Sequence, residues 1–281
     1  MYKIICVVDN SARKGAGLKK EHGLSFWIET PQGNVLFDTG QTGGVLKHNM
    51  RKLGLQLADV DKLVLSHGHY DHTGGLAALL SAKPGIPLYA HSDVFRARFS
   101  KRRGVYKSIG MAMEHDHLAT RTLLNLSDSA QEVFPDLWTT GEIKVRDELE
   151  GRSNTHFINR DGDMQADPYL DDLSMVLKTE QGLVLICGCC HAGLLNTIKH
   201  TQQNFGQNIT TIIGGTHLAA ADGDMMDEII EKLKGLFSEQ PNYYLNHCSG
   251  QDAVRIMQEA FGDRVSGFPA GSVLSFDPDQ S

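Results

Sequence analysis

The chain has 281 residues, of which 41% are hydrophobic and 22% are charged, so it can bury an ordinary globular core. Its formal net charge of −7 argues against a general nucleic-acid-binding protein, although a local basic patch stays compatible with it. No apolar run approaches the roughly 18 residues of a membrane span, and residues 1–10 become polar too soon for a secretory signal. We therefore predict no membrane span, and a first strand at the start of the chain.

The number and spacing of the cysteines indicate the redox state of the cellular compartment. An odd number of cysteines, three of them clustered, is not typical of a disulfide framework. Reduced thiols in a cytoplasmic protein fit best. The five cysteines are Cys6, Cys187, Cys189, Cys190 and Cys248.

Strand-like runs alternate with glycine-rich turns over residues 1–92. Strands are predicted at 26–30, 34–37, 63–65 and 87–90, and a helix is predicted to begin near residue 75.

The most informative segment is Ser-His-Gly-His-Tyr-Asp-His-Thr-Gly-Gly at residues 66–75, which directly follows the apolar run 62–65. A buried strand that ends in three imidazoles and a carboxylate has no packing reason to do so. Imidazole and carboxylate together suit zinc, iron, nickel or manganese better than calcium or magnesium alone. The segment therefore predicts a metal site in a loop after a core strand.

This pattern resembles the metallo-β-lactamase superfamily of metal-dependent hydrolases. The resemblance implies that His67 and His69 hold one metal, and that Asp71 and His72 hold a second, with Asp71 also serving catalysis as an orienting ligand. The run Gly-Asn-Val-Leu-Phe-Asp-Thr-Gly at 33–40 resembles the turn whose aspartate supports the metal loop, which makes Asp38 a supporting residue. The implied fold is α+β, a four-layer αββα sandwich.

Residues 93–170 are polar and poorly periodic, and they are predicted to form a lid insertion within a single domain spanning 1–281. A hairpin is expected near 138–146, and the second His-x-His, at 115–117, is expected to be a solvated part of the lid. A cluster of cations here predicts a small anionic substrate, with a phosphorylated one favoured and a solvated helix face as the alternative. The cations are Arg96, Arg98, Lys101, Arg102, Arg103 and Lys107.

The last third mixes strands, predicted at 183–187, 211–215 and 243–245, with helices at 225–237 and 252–261. His191 is the candidate third ligand of the first metal, and His247 matches the superfamily's final histidine, a ligand of the second. His217 is placed near the site. Polar caps are the alternative for these histidines, and a Cys-x-x-C redox motif is the alternative for residues 187–190.

The chain departs from the superfamily pattern at the bridging position. Gly188-Cys189 stands where Gly-Asp is expected, so the metals would share Cys189, a hydroxide alone, or a carboxylate from Asp171 or Asp172. If the strand continued extended, Cys187, Cys189 and His191 would point to one side. These motifs resemble a subgroup often named for the 7,8-dihydropterin-6-methyl-4-(β-D-ribofuranosyl)aminobenzene-5′-phosphate synthase.

The resemblance implies a hydrolase in which a metal-bound hydroxide attacks a small substrate. One or two divalent transition metals are expected, zinc first because mixed nitrogen and oxygen sites suit it, with iron or manganese as alternatives. The rival functions are a pterin-type cyclisation or condensation, a mononuclear-iron thiol oxidase, and a non-catalytic protein that binds a ligand through its metal.

Overall fold

The computed structural model describes residues 1–277, which form two seven-stranded sheets, a four-stranded sheet and helices. The strands are β1 (Tyr2–Val8), β2 (Ser25–Thr30), β3 (Gly33–Phe37), β4 (Lys62–Val64), β5 (Ile86–Ala90), β6 (Arg98–Arg102), β7 (Val105–Ser108), β8 (Thr122–Leu126), β9 (Glu132–Phe134), β10 (Leu137–Thr139), β11 (His156–Arg160), β12 (Asp163–Ala166), β13 (Ser174–Thr179), β14 (Gly182–Cys187), β15 (Ile209–Gly214), β16 (Asn242–Leu245), β17 (Val265–Gly267) and β18 (Val273–Phe276). The α-helices are α1 (Gly43–Lys52), α2 (Tyr70–Thr73), α3 (Leu76–Ala82), α4 (His115–Ala119), α5 (Leu194–Phe205), α6 (Gly223–Leu236) and α7 (Gln251–Phe261).

The two large sheets pack face to face, and side chains alternate along their strands. In β14, Val184 and Ile186 lie in the core between the sheets, whereas Leu183 and Leu185 pack under α5 and α6. On the other side, α1 and α3 cover the first sheet through residues such as Leu46. The α+β class and the four-layer αββα sandwich expected from the resemblance are therefore confirmed.

Parallel pairing brings the ends of many strands to common edges. The first sheet has the order β18-β1-β2-β3-β4-β5-β8, and its strands from β3 to β8 run parallel. The second has the order β17-β16-β15-β14-β13-β10-β9, with β14 to β17 parallel. Loops that follow the carboxyl ends of parallel strands meet at one edge, which is where such folds place their sites.

The third sheet, with the order β12-β11-β6-β7, covers that edge, and we call it the roof sheet. The segment 93–170 thus has several parts, since β8 extends the first large sheet and β9 and β10 extend the second. The hairpin of this segment that lies nearest to residues 138–146 joins β9 to β10 and ends at Thr139, so the expected hairpin was placed too late. No helix within residues 1–277 combines the length and apolar character needed to cross a bilayer.

Candidate metal centre

The loop after β4 carries four of the predicted ligands on a tightly packed backbone. His69 is the N-cap of the single-turn helix α2, which contains Asp71 and His72. A Cβ atom at Gly68 would lie 2.1 Å from the carbonyl oxygen of Val94, so only glycine fits between the first two histidines. Glycine at this position therefore allows the loop to pass close to the neighbouring segment.

A first cluster of donor atoms gathers around His67. Its Nε2 lies 3.0 Å from Nδ1 of His69. The ligand atoms of His67, Cys189 and His191 lie within 4.8 Å of one another. The Nε2 atom of His191 is buried and has no hydrogen-bond partner within residues 1–277. A buried imidazole nitrogen left without a partner is costly unless something else binds it, which fits a metal ligand.

A second cluster lies beside the first. Nε2 of His72 is 3.1 Å from Nε2 of His247, which in turn is 3.5 Å from Oδ2 of Asp71. The thiol of Cys189 is 3.2 Å from Nε2 of His72. Cys189 is thus the one residue among these that belongs to both clusters. Its thiol occupies the place where a shared ligand would lie.

The two carboxylates considered as alternative bridges bind backbone instead. Asp171 accepts a hydrogen bond of 2.7 Å from the N–H of Gly68, and Asp172 accepts one of 2.9 Å from the N–H of Ala192. Each therefore braces a loop that carries candidate ligands. Neither carboxylate belongs to the clusters of candidate ligand atoms among residues 1–277, but Oδ1 of Asp172 is buried without a hydrogen-bond partner, so a bridging carboxylate stays a prediction.

The chain turns sharply after β14. A Cβ at Gly188 would lie 2.3 Å from Oγ of Ser66, so glycine allows β14 to approach the metal loop. Cys190 has a positive φ of 54°, which ends the extended alternation. Cys187 and Cys190 consequently pack in the core beneath α5, while Cys189 and His191 face the clusters. The expectation that Cys187 shares their side was wrong.

Asp38 fixes both the loop and one of its imidazoles. Its carboxylate accepts hydrogen bonds from the N–H of Ser66, at 2.8 Å, and from the hydroxyl of Ser66, at 2.6 Å. Its Oδ2 also lies 2.6 Å from Nδ1 of His72. With Nδ1 held in this way, Nε2 of His72 points to the second cluster, the arrangement by which outer carboxylates orient metal-binding histidines.

The remaining imidazoles are oriented by other segments. Asn10 accepts a hydrogen bond of 3.0 Å from Nδ1 of His247, and the ring of Tyr169 stacks on that of His191 with the centroids 4.4 Å apart. The Nδ1 of His191 lies 3.2 Å from the carbonyl oxygen of Gly151. Both histidines thereby turn Nε2 toward the site.

Burial sets the charge of most of these imidazoles. It lowers the pKa of the buried imidazoles His67, His69, His191 and His247 well below the usual value, so they are neutral at pH 7. The neutral form is the one that binds metal. Burial would also lower the pKa of His72, but the charges of Asp38 and Asp71 outweigh it and raise that pKa to about 9.

The donor set fits a divalent transition metal. Ligand atoms about 2.1 Å from one ion lie roughly 3.0–3.4 Å from each other in tetrahedral or octahedral geometry. The closest separations within the clusters, 3.0 Å for His67 and His69 and 3.1 Å for His72 and His247, lie in that range. Imidazole, carboxylate and thiolate donors favour zinc or iron over magnesium and calcium.

Both clusters open into a cavity of about 350 Å³ beneath the roof sheet. His217 lies on its wall with its ring 4.2 Å from that of His191, and its backbone N–H donates to the thiol of Cys248. The sequence analysis missed two histidines that line the cavity, His22 and His156. Neither follows a predicted strand of the large sheets, which was the signal used to find the others.

The cationic cluster divides into distinct parts. Arg102 and Lys107 line the cavity, and neither has a carboxylate partner within residues 1–277. Arg98, in contrast, is fully buried and paired with three aspartates. Arg96 is paired with Asp93. The expectation that all six cations form one anion-binding group was therefore wrong for these two arginines.

Several non-glycine residues around the clusters have left-handed backbone conformations, which L-residues rarely adopt. The φ angles lie between 49° and 60° at five such positions, Asp38, Tyr169, Cys190, His217 and His247.

An αββα sandwich with two neighbouring groups of imidazole, carboxylate and thiol donors at its strand ends defines a metal-dependent class of protein. Residues 18–157 match the metallo-beta-lactamase superfamily, and the chain belongs to that superfamily. The superfamily resemblance expected from the sequence is thereby confirmed.

One curated relative and two solved structures are similar to this chain over almost their whole length. The 7,8-dihydropterin-6-methyl-4-(beta-D-ribofuranosyl)-aminobenzene-5′-phosphate synthase of Methanocaldococcus jannaschii is 27% identical, over 98% of this chain and 96% of its own. The crystal structure of a metal-dependent hydrolase of the beta-lactamase superfamily superposes with a TM-score of 0.84 and 26% identity, covering 99% of this chain and all of that one. The metallo-beta-lactamase fold protein YhfI of Bacillus subtilis superposes with a TM-score of 0.59 and 15% identity, covering 98% of this chain and 100% of that one. At this identity the likeness shows the shared fold alone.

Replacing Asp38 by alanine is expected to lower metal affinity or turnover by about 10–100-fold, the usual range for loss of a residue that orients a ligand. The donor atoms themselves would stay, but Nδ1 of His72 would lose its partner. Metal titration and steady-state kinetics measure the effect. Unchanged metal affinity and turnover would show that Asp38 does not support the metal centre.

Proposed function

We propose that this protein is a metal-dependent hydrolase of a small substrate, with the metals held by His67, His69 and His191 and by Asp71, His72 and His247. The observation that carries the proposal is the pair of donor clusters that meet at Cys189 and open on one cavity. A cavity of about 350 Å³ is the size of a small-molecule site.

A divalent ion bound here would supply a water activated near neutral pH and a positive charge for a substrate oxygen. The side chains of the protein orient the ligands and provide the donor atoms. Asp38 and Asn10 hold His72 and His247 with Nε2 directed inward. Asp71 presents Oδ2 at the edge of the second cluster, and Cys189 presents its thiol between the two.

Two cations of the roof sheet support the proposal that the substrate is an anion. Ser100 pairs with Lys107 on one side and with His156 on the other, so all three side chains point to the same face. That face lines the cavity, together with Arg102, which lies two residues after Ser100 on the same strand. Lys101 belongs to the opposite face, where its ammonium group lies over the ring of Tyr106.

Neutralising Arg102 and Lys107 together, as Arg102→Gln and Lys107→Gln, is expected to raise KM for an anionic substrate several-fold while leaving kcat nearly unchanged, because uniform binding energy is lost. Lys101→Gln is the matched control from the other face and should behave as the parent does. The kinetics should be measured at low salt, where charge effects are largest. An equal response of both variants would remove the roof cations from substrate binding.

A pterin-type condensation is the second candidate. It is supported by the 27% identity, over 98% of the chain, to the synthase from Methanocaldococcus jannaschii. Turnover in ¹⁸O-labelled water separates the two reactions. A hydrolase places one labelled oxygen in a product for each bond that it cleaves, whereas condensation between two organic substrates does not require this.

The test of the proposal combines metal analysis with turnover. Protein prepared without added metal should contain zinc, iron or manganese, or take one of them up on titration, and it should hydrolyse a member of a panel of phosphate esters, phosphodiesters and lactones. Bound metal without turnover of any such substrate or of pterin precursors would favour a non-catalytic ligand-binding protein. Protein that neither contains nor takes up metal would contradict the proposal.

Cys189→Ser is expected to change which metal the second cluster prefers and how fully it is occupied, because a hard hydroxyl replaces a soft thiolate. Its control is Cys190→Ser, since Cys190 packs in the core and does not face the clusters. Elemental analysis after equilibration with a mixture of zinc and manganese measures the preference. If Cys189→Ser keeps the metal content and preference of the parent, Cys189 is not a ligand.

A further inference from the structure

Residues 21–24 precede β2 and are held against the metal loop and the start of α1. Glu21 accepts hydrogen bonds from the backbone of Gln41 and Thr42 at the start of α1. The N–H of Leu24 donates to the carbonyl oxygen of Asp71, at 3.3 Å. A Cβ at Gly23 would lie 2.5 Å from that same oxygen, so only glycine permits this approach. The segment is therefore held against the loop that carries the second cluster.

This attachment places the imidazole of His22 over the second cluster. Nε2 of His22 lies 3.1 Å from Oδ2 of Asp71, and its ring centroid is 5.2 Å from that of His247. The ligand atoms of these three residues lie within 4.8 Å of one another. The separation of 3.1 Å falls in the roughly 3.0–3.4 Å range expected for two donors on one ion.

His22 differs from the other histidines of the centre in its exposure. Its side chain is 56% exposed, against 1% for His247 and 0% for His72. It also lines the cavity. A donor in this position closes the open side of the second cluster and is reached by solvent and substrate before the buried ligands are.

We propose that His22 is a further ligand of the second metal, at the position that faces the substrate. The inference rests on the proposed metal centre, and it assigns a residue outside the His-x-His-x-Asp-His segment. His22 would share the ion with Asp71, His72 and His247. Because it is the exposed member of the set, its imidazole is the ligand that an incoming substrate oxygen can replace with the least rearrangement of the protein.

The experiment titrates metal-free protein with Co²⁺, which reports its own ligands through its visible absorption. The parent should take up two equivalents with distinct spectra. His22→Ala should leave the first equivalent unchanged, weaken the second by at least about tenfold, since loss of a mere supporting residue already costs that much, and alter the spectrum of the second. Added imidazole should restore the parent spectrum, because the vacated position is open to the cavity. His117→Ala, which removes an exposed imidazole outside the cavity, is the matched control.

The possible results distinguish a failure of the ligand assignment from a failure of the proposed function. A second equivalent in His22→Ala with the parent spectrum would overturn the ligand role, even if its affinity fell, because a residue that only positions Asp71 would have that effect. A parent that takes up a single equivalent would overturn it as well. A parent that binds two equivalents but turns over no substrate would overturn the proposed hydrolase and leave the ligand assignment in place.

Discussion

His67→Ala is expected to abolish turnover and to remove most binding of the first metal. His67 is buried, and its Nε2 lies 3.0 Å from Nδ1 of His69 and within 4.8 Å of the donor atoms of Cys189 and His191. Because His67 is a proposed direct ligand, its loss should lower metal affinity by more than the roughly 100-fold at the upper end for supporting residues. Metal analysis by mass spectrometry, together with kinetics at saturating substrate, measures both effects.

The control is His200→Ala, which removes a partly buried imidazole outside the metal centre. His200 lies on α5, and its Nε2 is 3.0 Å from the carbonyl oxygen of Thr140, so it does not line the cavity. Its replacement should retain both metal and turnover. Full metal content in His67→Ala would mean that the first site is built from other residues.

Arg98→Met is expected to lower the free energy of unfolding by about 3–5 kcal/mol, the range for breaking a buried ion pair by removing one partner. The guanidinium of Arg98 is fully buried and lies 2.6 Å from Asp171, 3.1 Å from Asp167 and 3.2 Å from Asp93. Methionine fills much of the space but leaves the buried carboxylates of Asp167 and Asp171 without their cation, whereas Asp93 keeps Arg96 as a partner. Because Asp171 also holds the N–H of Gly68, the metal loop should loosen as well.

Arg96→Met is the matched control, since Arg96 pairs with Asp93 alone and its side chain is 32% exposed. Surface ion pairs contribute about 0–1 kcal/mol, so this variant should stay close to the parent. Urea unfolding of both variants, with metal removed by chelation, gives the two free energies. Equal values for the two variants would contradict the structural role of Arg98.

The sequence predicted the superfamily and the sandwich because both depend on local signals. The buried strand before residue 66 and the dense run of His67, His69 and Asp71 lie within ten residues of each other. The positions of His191 and His247 followed from their place at the ends of apolar strands. Such local patterns can be recognised without knowledge of the tertiary structure.

The parts that could not be predicted depend on contacts between distant segments. His22 and Asp71 are 49 positions apart, and a backbone approach at Gly23, rather than any periodic pattern, brings them together. His156 reaches the cavity because β11 pairs with β6, a register that no local pattern specified. Arg98 was grouped with the other cations of residues 96–107 because charge along the sequence does not reveal burial. The alternation expected beyond Cys187 failed at Cys190, where φ changes sign.

The left-handed residues around the centre have a consequence for protein engineering. Each costs about 1–3 kcal/mol relative to a relaxed backbone, and glycine would relieve most of that cost. Four of them, Asp38, Cys190, His217 and His247, directly follow or lie close behind the ends of β3, β14, β15 and β16. A laboratory selection for heat resistance alone would therefore favour glycine at these positions, and it would remove His247, a proposed ligand, and Asp38, which orients His72, in exchange for stability. Selection for thermostability in this protein should be coupled to a screen for retained metal.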